Sequence, residues 1–375
     1  MRRDVEATYR VRSRAQDVEA RARAIAIEQS VEMPLGAIAD SHVLDHIVGE
    51  VAGVSEVGEG VYDVRIALAA ATTGHEAGQL LNMLYGNTSI HDDVVLQDVE
   101  LPEAMAAAFG GPGHGIEGLR RRVGVHDRPL TSSALKPQGS SASCLAELAR
   151  QMALGGIDYV KDDHGLADQD YSPFAARVAA ISAAIDDARQ ATGHATRYAP
   201  SLAGNLDELR RQVEVSRQHG IDTLLAAPMV IGIPSFHTIV GENPDMAFIA
   251  HPALAGAARI APAMHFGKLF RLLGADAIVY PNHGGRFGYS AQTCRAIADT
   301  ARAAWLGLAP ALPVPAGGMS PSRTAEMVDF YGPDVMLLIG GALLEAGERL
   351  AEASAAFVAA AGAAVSRMES AGAVA

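Results

Sequence analysis

GGIDYVKDDHG, residues 155–165, joins a short apolar run to a lysine, two aspartates and a histidine. The β-branched and aromatic residues after the glycine pair read as a buried strand that ends where the charges begin. Side chains alternate along a strand, so Lys161 and Asp163 share one face and Asp162 takes the other. His164 follows where the strand breaks. An inward carboxylate plus a histidine offers two positions on Mg²⁺ or another divalent ion, although Mg²⁺ prefers oxygen. A lysine ammonium cannot ligate a metal. Lys161 therefore either pairs with the carboxylates or loses its proton and takes up CO₂, becoming an anionic carbamate ligand. An Asp–Lys ion pair at a strand end accounts for the pattern equally well.

Working outward from this stretch, the same strand signal recurs from about residue 130. Short apolar runs stand at SSALK (132–136), IDYVK (157–161), TRYAPSL (196–202), TLLAAPMV (223–230), AFIAHPA (247–253), AIVYPN (277–282), PVPAGG (313–318) and VMLLIGG (335–341). Helical patterns such as SCLAELARQMALGG and LDELRRQVEVSRQHG separate them. Eight buried strands alternating with helices predict a closed (β/α)8 barrel. An open doubly wound sheet would carry a glycine fingerprint after its first strand, and none is present. In a barrel the C-terminal strand ends converge on one mouth. Lys136, Lys161, Asp163, His251, Asn282 and the pairs Gly317-Gly318 and Gly340-Gly341 all fall there.

The glycine pairs follow the seventh and eighth strands, where barrels commonly hold phosphate on backbone N–H groups. Gly-Gly also serves simply to turn a strand into a helix. YPNHGGRFGYS (280–290), with His283 and Arg286, has the make-up of a loop able to close over a substrate, or of a solvated surface loop. His251 has the chemistry of a general acid or base near neutral pH, though a lone histidine is more often structural. His75, His194, His219, His237 and His265 show no ligand spacing.

The first 125 residues differ. VEATYRVRS and VYDVRIALAAA read as strands, AQDVEARARAIAIEQSV and EAGQLLNMLYGN as helices, together a small α+β domain. GGPGHGIEGLRRRVGVHDRP (110–129) reads as the connection to the barrel, so the division is expected at 1–125 and 126–375. The Ala-rich tail AEASAAFVAAAGAAV is a helix on the barrel exterior. A formal charge of −13 argues against a nucleic-acid or anionic-membrane partner. With only Cys144 and Cys294, no secretory leader and no apolar run of about 20 residues, a soluble cytoplasmic protein is expected.

These motifs, in this order, resemble the large subunit of ribulose-bisphosphate carboxylase (RuBisCO), and within it the shorter form IV RuBisCO-like proteins. ALKPQG matches the family's first-strand lysine–proline motif and GGIDYVKDDHG its GG-D-x-x-KDDE motif. LNMLYGN matches the N-terminal GN motif through Asn87, and the glycine pairs match the phosphate loops. The resemblance implies that Lys161 is carbamylated by CO₂ and holds Mg²⁺ with Asp163 and the residue at 164. It implies that Lys136 is an acid/base group, that His251 faces the substrate, and that Gly317, Gly318, Gly340 and Gly341 cradle a phosphate. Glu28 matches an N-terminal glutamate which, with Asn87, reaches the partner subunit's barrel, so a homodimer is implied.

The departures bear on the reaction. His164 stands for the third ligand, a glutamate in the family, and Gln138 for a second lysine. Pro252 and Ala316 replace an arginine and a serine that hold a second phosphate. The loop after the sixth strand matches loosely, with Arg286 in the place of the catalytic loop lysine. Carboxylation of a bisphosphate is therefore not expected. A metal, a lysine base and one phosphate cradle suit enolisation of a singly phosphorylated keto-sugar. The form IV group resembled here includes isomerases of 5-methylthioribulose 1-phosphate, the favoured expectation, and decarboxylases of 3-oxo-isoapionate 4-phosphate. A catalytically silent phosphometabolite-binding protein is the alternative of another class, against which stands the presence of Lys136, Lys161 and Asp163 together.

Overall fold

Alternation in VEATYRVR puts Val5, Ala7, Tyr9 and Val11 on one fully buried face. In the computed structural model, which describes residues 4–285 and 287–372 with side chains as far as 367, this run is strand β1 (Val5–Arg12). With β2 (Glu50–Gly58), β3 (Val61–Leu68) and β4 (Val94–Glu100) it forms an antiparallel sheet in the order β2-β3-β1-β4. Helices Val18–Glu28 and Ala77–Tyr85 accompany the sheet. The sequence reading marked β1, β3 and both helices but passed over β2 and β4. β2 is an edge strand with no buried residue and two glycines, so neither alternation nor composition signals it. β4 pairs with β1 across a register shift at Thr8/Tyr9.

The segment 110–129, read as a plain connection, contains a helix, Gly115–Val123. Its start is held from a distance. Asp276 Oδ1 accepts from the N–H groups of His114 and Gly115, both at 2.7 Å, while Oδ2 accepts from Phe248 N at 2.8 Å. The helix closes the floor of the second domain, where Leu119 and Val123 join the barrel's inner core and Tyr159 Oη donates to Leu119 O at 2.8 Å.

All eight expected barrel strands are present, and all pair in parallel. They are β5 (Leu130–Leu135), β6 (Tyr159–Asp162), β7 (Arg197–Ala199) continued by β8 (Ser201–Leu202), β9 (Thr223–Ala226), β10 (Ala247–Ala250), β11 (Ala277–Pro281), β12 (Leu312–Ala316) and β13 (Met336–Leu338). The third strand is split at Pro200, which has no N–H to give a ladder. The ladders run β13-β5-β6-β7 and β8-β9-β10-β11-β12, with β12 and β13 side by side. The interior is filled by residues such as Leu130, Tyr159, Leu225, Ile249, Val279 and Val314. The Ala-rich tail lies outside the barrel as helix Leu350–Gly372, against helices Ala142–Leu154 and Thr324–Tyr331. A side chain at Gly155 would collide with Ser354 on that helix, which accounts for the first glycine of GGIDYVKDDHG. Among the described residues no helix is long and apolar enough to cross a membrane.

Candidate active site

Register Ala134↔Lys161↔Ala199 places Lys161 in the barrel interior, one layer above Tyr159. Lys161 and Asp163 turn inward and Asp162 outward, as strand alternation requires. The ion pair weighed from the sequence exists, but with a different lysine. Lys136, just past β5, brings its Nζ to 2.7 Å from Asp163 Oδ1. Lys161 Nζ donates instead to the backbone carbonyl of Asp162, at 2.9 Å. Burial pushes the Lys161 amine down to about 8; the carboxylates of Asp163 and Asp162 oppose that shift and the Lys136 ammonium adds to it. A buried amine without a carboxylate partner, neutral in a sizeable fraction near pH 8, can act as a nucleophile.

Burial alone would raise the Asp163 carboxyl. Hydrogen bonding to His164 and Lys136, and the charge of Lys161, outweigh that and hold it well below the ordinary carboxylate range. His164 Nδ1 lies 3.5 Å from Asp163 Oδ1, the oxygen that Lys136 also engages. The His164 ring stacks on His251, with centroids 4.1 Å apart and planes 13° from parallel. His251 Nδ1 accepts from Ala253 N at 3.1 Å, which assigns the ring proton to Nε2. Burial, then the charges of Lys161 and His164, drive its pKa far below the ordinary histidine value. The acid/base poise near neutral pH that the sequence suggested is thus not found; His251 is a neutral hydrogen-bond donor.

Across the mouth lie the two glycine loops. The N–H groups of Gly317, Gly318, Gly340 and Gly341 donate to no backbone carbonyl among the described residues. Gly318 has φ +75° and meets the backbone of Gly285 so closely that a Cβ would collide. Gly340 borders Lys136, whose Cε lies 3.8 Å from where a Cβ would stand, whereas Gly341 faces open space. Of the four, Gly340 is the one set beside the Lys136 side chain. Phe287, 55% exposed, lies over Gly317. Arg286, placed in the site by sequence, lies outside the described residues. Pro252 and Ala316, which the resemblance aligns with second-phosphate residues, are half-buried at the ends of β10 and β12.

One residue expected at the mouth is elsewhere. Asn282 is buried behind the mouth, where its Oδ1 accepts from Tyr331 Oη at 2.6 Å. Asn87 Nδ2 donates to Glu28 at 2.9 Å and to Glu32 at 2.6 Å, so it joins the N-terminal glutamates and not the barrel mouth of its own chain. The sequence reading missed Glu32, which lies past the end of the helix Val18–Glu28. It also missed Arg177 and Arg323. Arg323 Nη1 lies 3.4 Å from the carbonyls of both His283 and Gly318 and so links the two loops across the mouth.

No three His, Cys, Asp or Glu side chains converge as a metal group among the described residues. Asp163 and His164 supply one oxygen and one nitrogen beside Lys161. A carbamate there would complete a mixed donor set acceptable to a divalent ion.

The chain is similar to known proteins along nearly its whole length. The catalytic domain of the ribulose bisphosphate carboxylase large chain matches residues 115–370. A protein of Rhodospirillum rubrum named 5-methylthioribulose-1-phosphate isomerase is 60% identical, with 97% of each chain covered. Ribulose bisphosphate carboxylase-like protein 1 of Rhodopseudomonas palustris is 53% identical over 95% of this chain and 96% of that one. The crystal structure of a Rubisco-like protein from Rhodopseudomonas palustris superimposes with a TM-score of 0.90 at 51% identity, covering 96% and 97% of the two chains.

Proposed function

The chain belongs to the ribulose bisphosphate carboxylase large-chain family as a RuBisCO-like enzyme, and from that premise we propose that it isomerises 5-methylthioribulose 1-phosphate by enolisation, without carboxylation. The observation that carries the proposal is the buried, carboxylate-free amine of Lys161 beside Asp163, opposite a single cradle of unspent glycine N–H groups. The 60% identity to the Rhodospirillum rubrum isomerase supports it. So does the replacement, by Pro252 and Ala316, of the arginine and serine that the resemblance assigns to a second phosphate, which suits a substrate with one phosphate.

Gly317, Gly318, Gly340 and Gly341 would bind the phosphate. Its dianion would face four N–H dipoles and the Lys136 side chain. The carbonyl end would then lie toward β6. Lys161 as its carbamate, Asp163 and His164 would hold Mg²⁺, which when bound supplies positive charge opposite the oxygen where enolate charge gathers. Lys136 would carry the proton at the carbon beside the carbonyl. The neutral His251 would donate its Nε2–H to a substrate oxygen and fix its orientation. Asn87, Glu28 and Glu32 would complete the mouth of the partner subunit in a homodimer. A silent phosphometabolite-binding protein would have no use for the Lys161 and Asp163 arrangement.

Incubation of 5-methylthioribulose 1-phosphate with the protein, Mg²⁺ and bicarbonate in D₂O, followed by NMR, tests the reading. An isomeric product carrying deuterium beside its carbonyl is expected. Neither product nor exchange would remove the isomerase assignment.

A further inference from the structure

Asp162 lies between Lys161 and Asp163 yet points away from them, out of the barrel, into a site without solvent. Its Oδ2 accepts from Arg177 Nε at 3.0 Å and from Ser201 N at 3.1 Å, and its Oδ1 from Tyr198 Oη at 2.7 Å. The Asp162 and Arg177 side chains are both wholly buried. Arg177 spends its remaining nitrogens on the segment that follows His164. Nη1 donates to Ser172 O at 2.6 Å and Nη2 to Ala167 O at 2.8 Å. One guanidinium therefore ties down the chain on both sides of residues 163 and 164, and Tyr198 and Ser201 tie it to the neighbouring strand.

A buried ion pair of this kind is a poor source of stability, because desolvation offsets most of the attraction. What it supplies is direction. With Asp162 anchored outward by three donors, alternation leaves Lys161 and Asp163 only the inward face.

We propose that Arg177 and Tyr198 are positioning residues that, through Asp162, set Lys161 and Asp163 to receive CO₂ and a divalent cation. The inference rests on the metal reading of the site given above. It assigns neither residue any contact with substrate. Groups that orient a ligand in this way typically change metal affinity about 10–100-fold when altered.

The test is Mn²⁺ binding to the full-length protein by calorimetry, with and without bicarbonate, for wild type, Tyr198→Phe and Tyr331→Phe. Tyr331→Phe removes a buried tyrosine hydrogen bond of similar length, 2.6 Å, behind the other side of the mouth. Thermal unfolding of each protein is followed in parallel. Tyr198→Phe is expected to weaken bicarbonate-dependent Mn²⁺ binding about tenfold, with Tyr331→Phe unchanged despite a comparable loss of thermal stability. The KM for the phosphorylated substrate should stay the same in Tyr198→Phe. Wild-type affinity in Tyr198→Phe, or an equal loss in both variants, overturns the inference alone. Absence of bicarbonate-dependent binding in the wild type overturns the metal reading and this inference with it.

Discussion

The two sides of the barrel mouth are built on different principles. On the β5–β6 side, Lys136, Lys161, Asp163 and His164 crowd together. Behind them stands a buried ion pair in which each guanidinium nitrogen donates a hydrogen bond. On the β11–β12 side the wall is glycine, exposed Phe287 and N–H groups that donate to no backbone carbonyl among the described residues, with Arg323 reaching the carbonyls of His283 and Gly318 at 3.4 Å. One side fixes charge in place, as proton transfer and metal binding demand. The other leaves backbone donors free for a ligand and room for its far end. If, as proposed, the tied half carries the chemistry and the open half holds the substrate, substitutions in the two halves should affect different kinetic constants.

The sharpest way to break this division is Lys161→Ala. It should reduce turnover by about 10³-fold or more and abolish bicarbonate-dependent Mn²⁺ binding, as read by enzyme assay and calorimetry. Retention of either would mean that the tied half does not carry the chemistry. Lys136→Met should lower kcat by about 10²–10⁴-fold with little change in KM. It should also tighten cation binding several-fold, because the ammonium that occupies Asp163 Oδ1 is gone. Weaker cation binding would show that Lys136 supports the metal site and does not compete for it.

In the open half, Gly341→Asp sets a carboxylate in free space beside the cradle. It should raise KM about tenfold or more, with metal affinity unchanged. A fall in kcat alone would move the phosphate elsewhere. The smallest effect is on pH. The Lys161 pKa is lowered to about 8, and only the neutral amine reacts with CO₂, so at a fixed concentration of dissolved CO₂ activation with Mg²⁺ should quicken as pH rises. Roughly one amine in ten is neutral at pH 7 and half at pH 8, so the rate should rise about fivefold over that interval and level off above pH 9. A flat profile would remove Lys161 as the group that is activated.

What the sequence disclosed was local and periodic. Eight apolar runs announced eight strands, and the period of two set Lys161 and Asp163 inward. What it could not disclose was partner choice between distant residues. Lys136 and Lys161 both precede or adjoin Asp163, and only the fold decides that the first takes the carboxylate while the second stays alone. Asp162 and Arg177, fifteen positions apart, meet because a loop doubles back. The helix Gly115–Val123 was hidden because its start is capped by Asp276, far along the chain, and not by its own neighbours. The same limit applies to His251, whose neutrality comes from burial and from cations on other strands.

Gly155 carries a consequence for how the protein comes into being. The glycine opens the base of β6 to a helix made near the C-terminal end of the chain, Leu350–Gly372, and β5 finds its second neighbour only in β13. The strand that presents Lys161 therefore emerges from the ribosome long before its outer wall exists. At about 5–20 residues per second, the wait is tens of seconds at the slow end. During that interval β5 lacks its second strand neighbour. Assembly of this site is thus a late event in synthesis, timed by the arrival of the C-terminal helix.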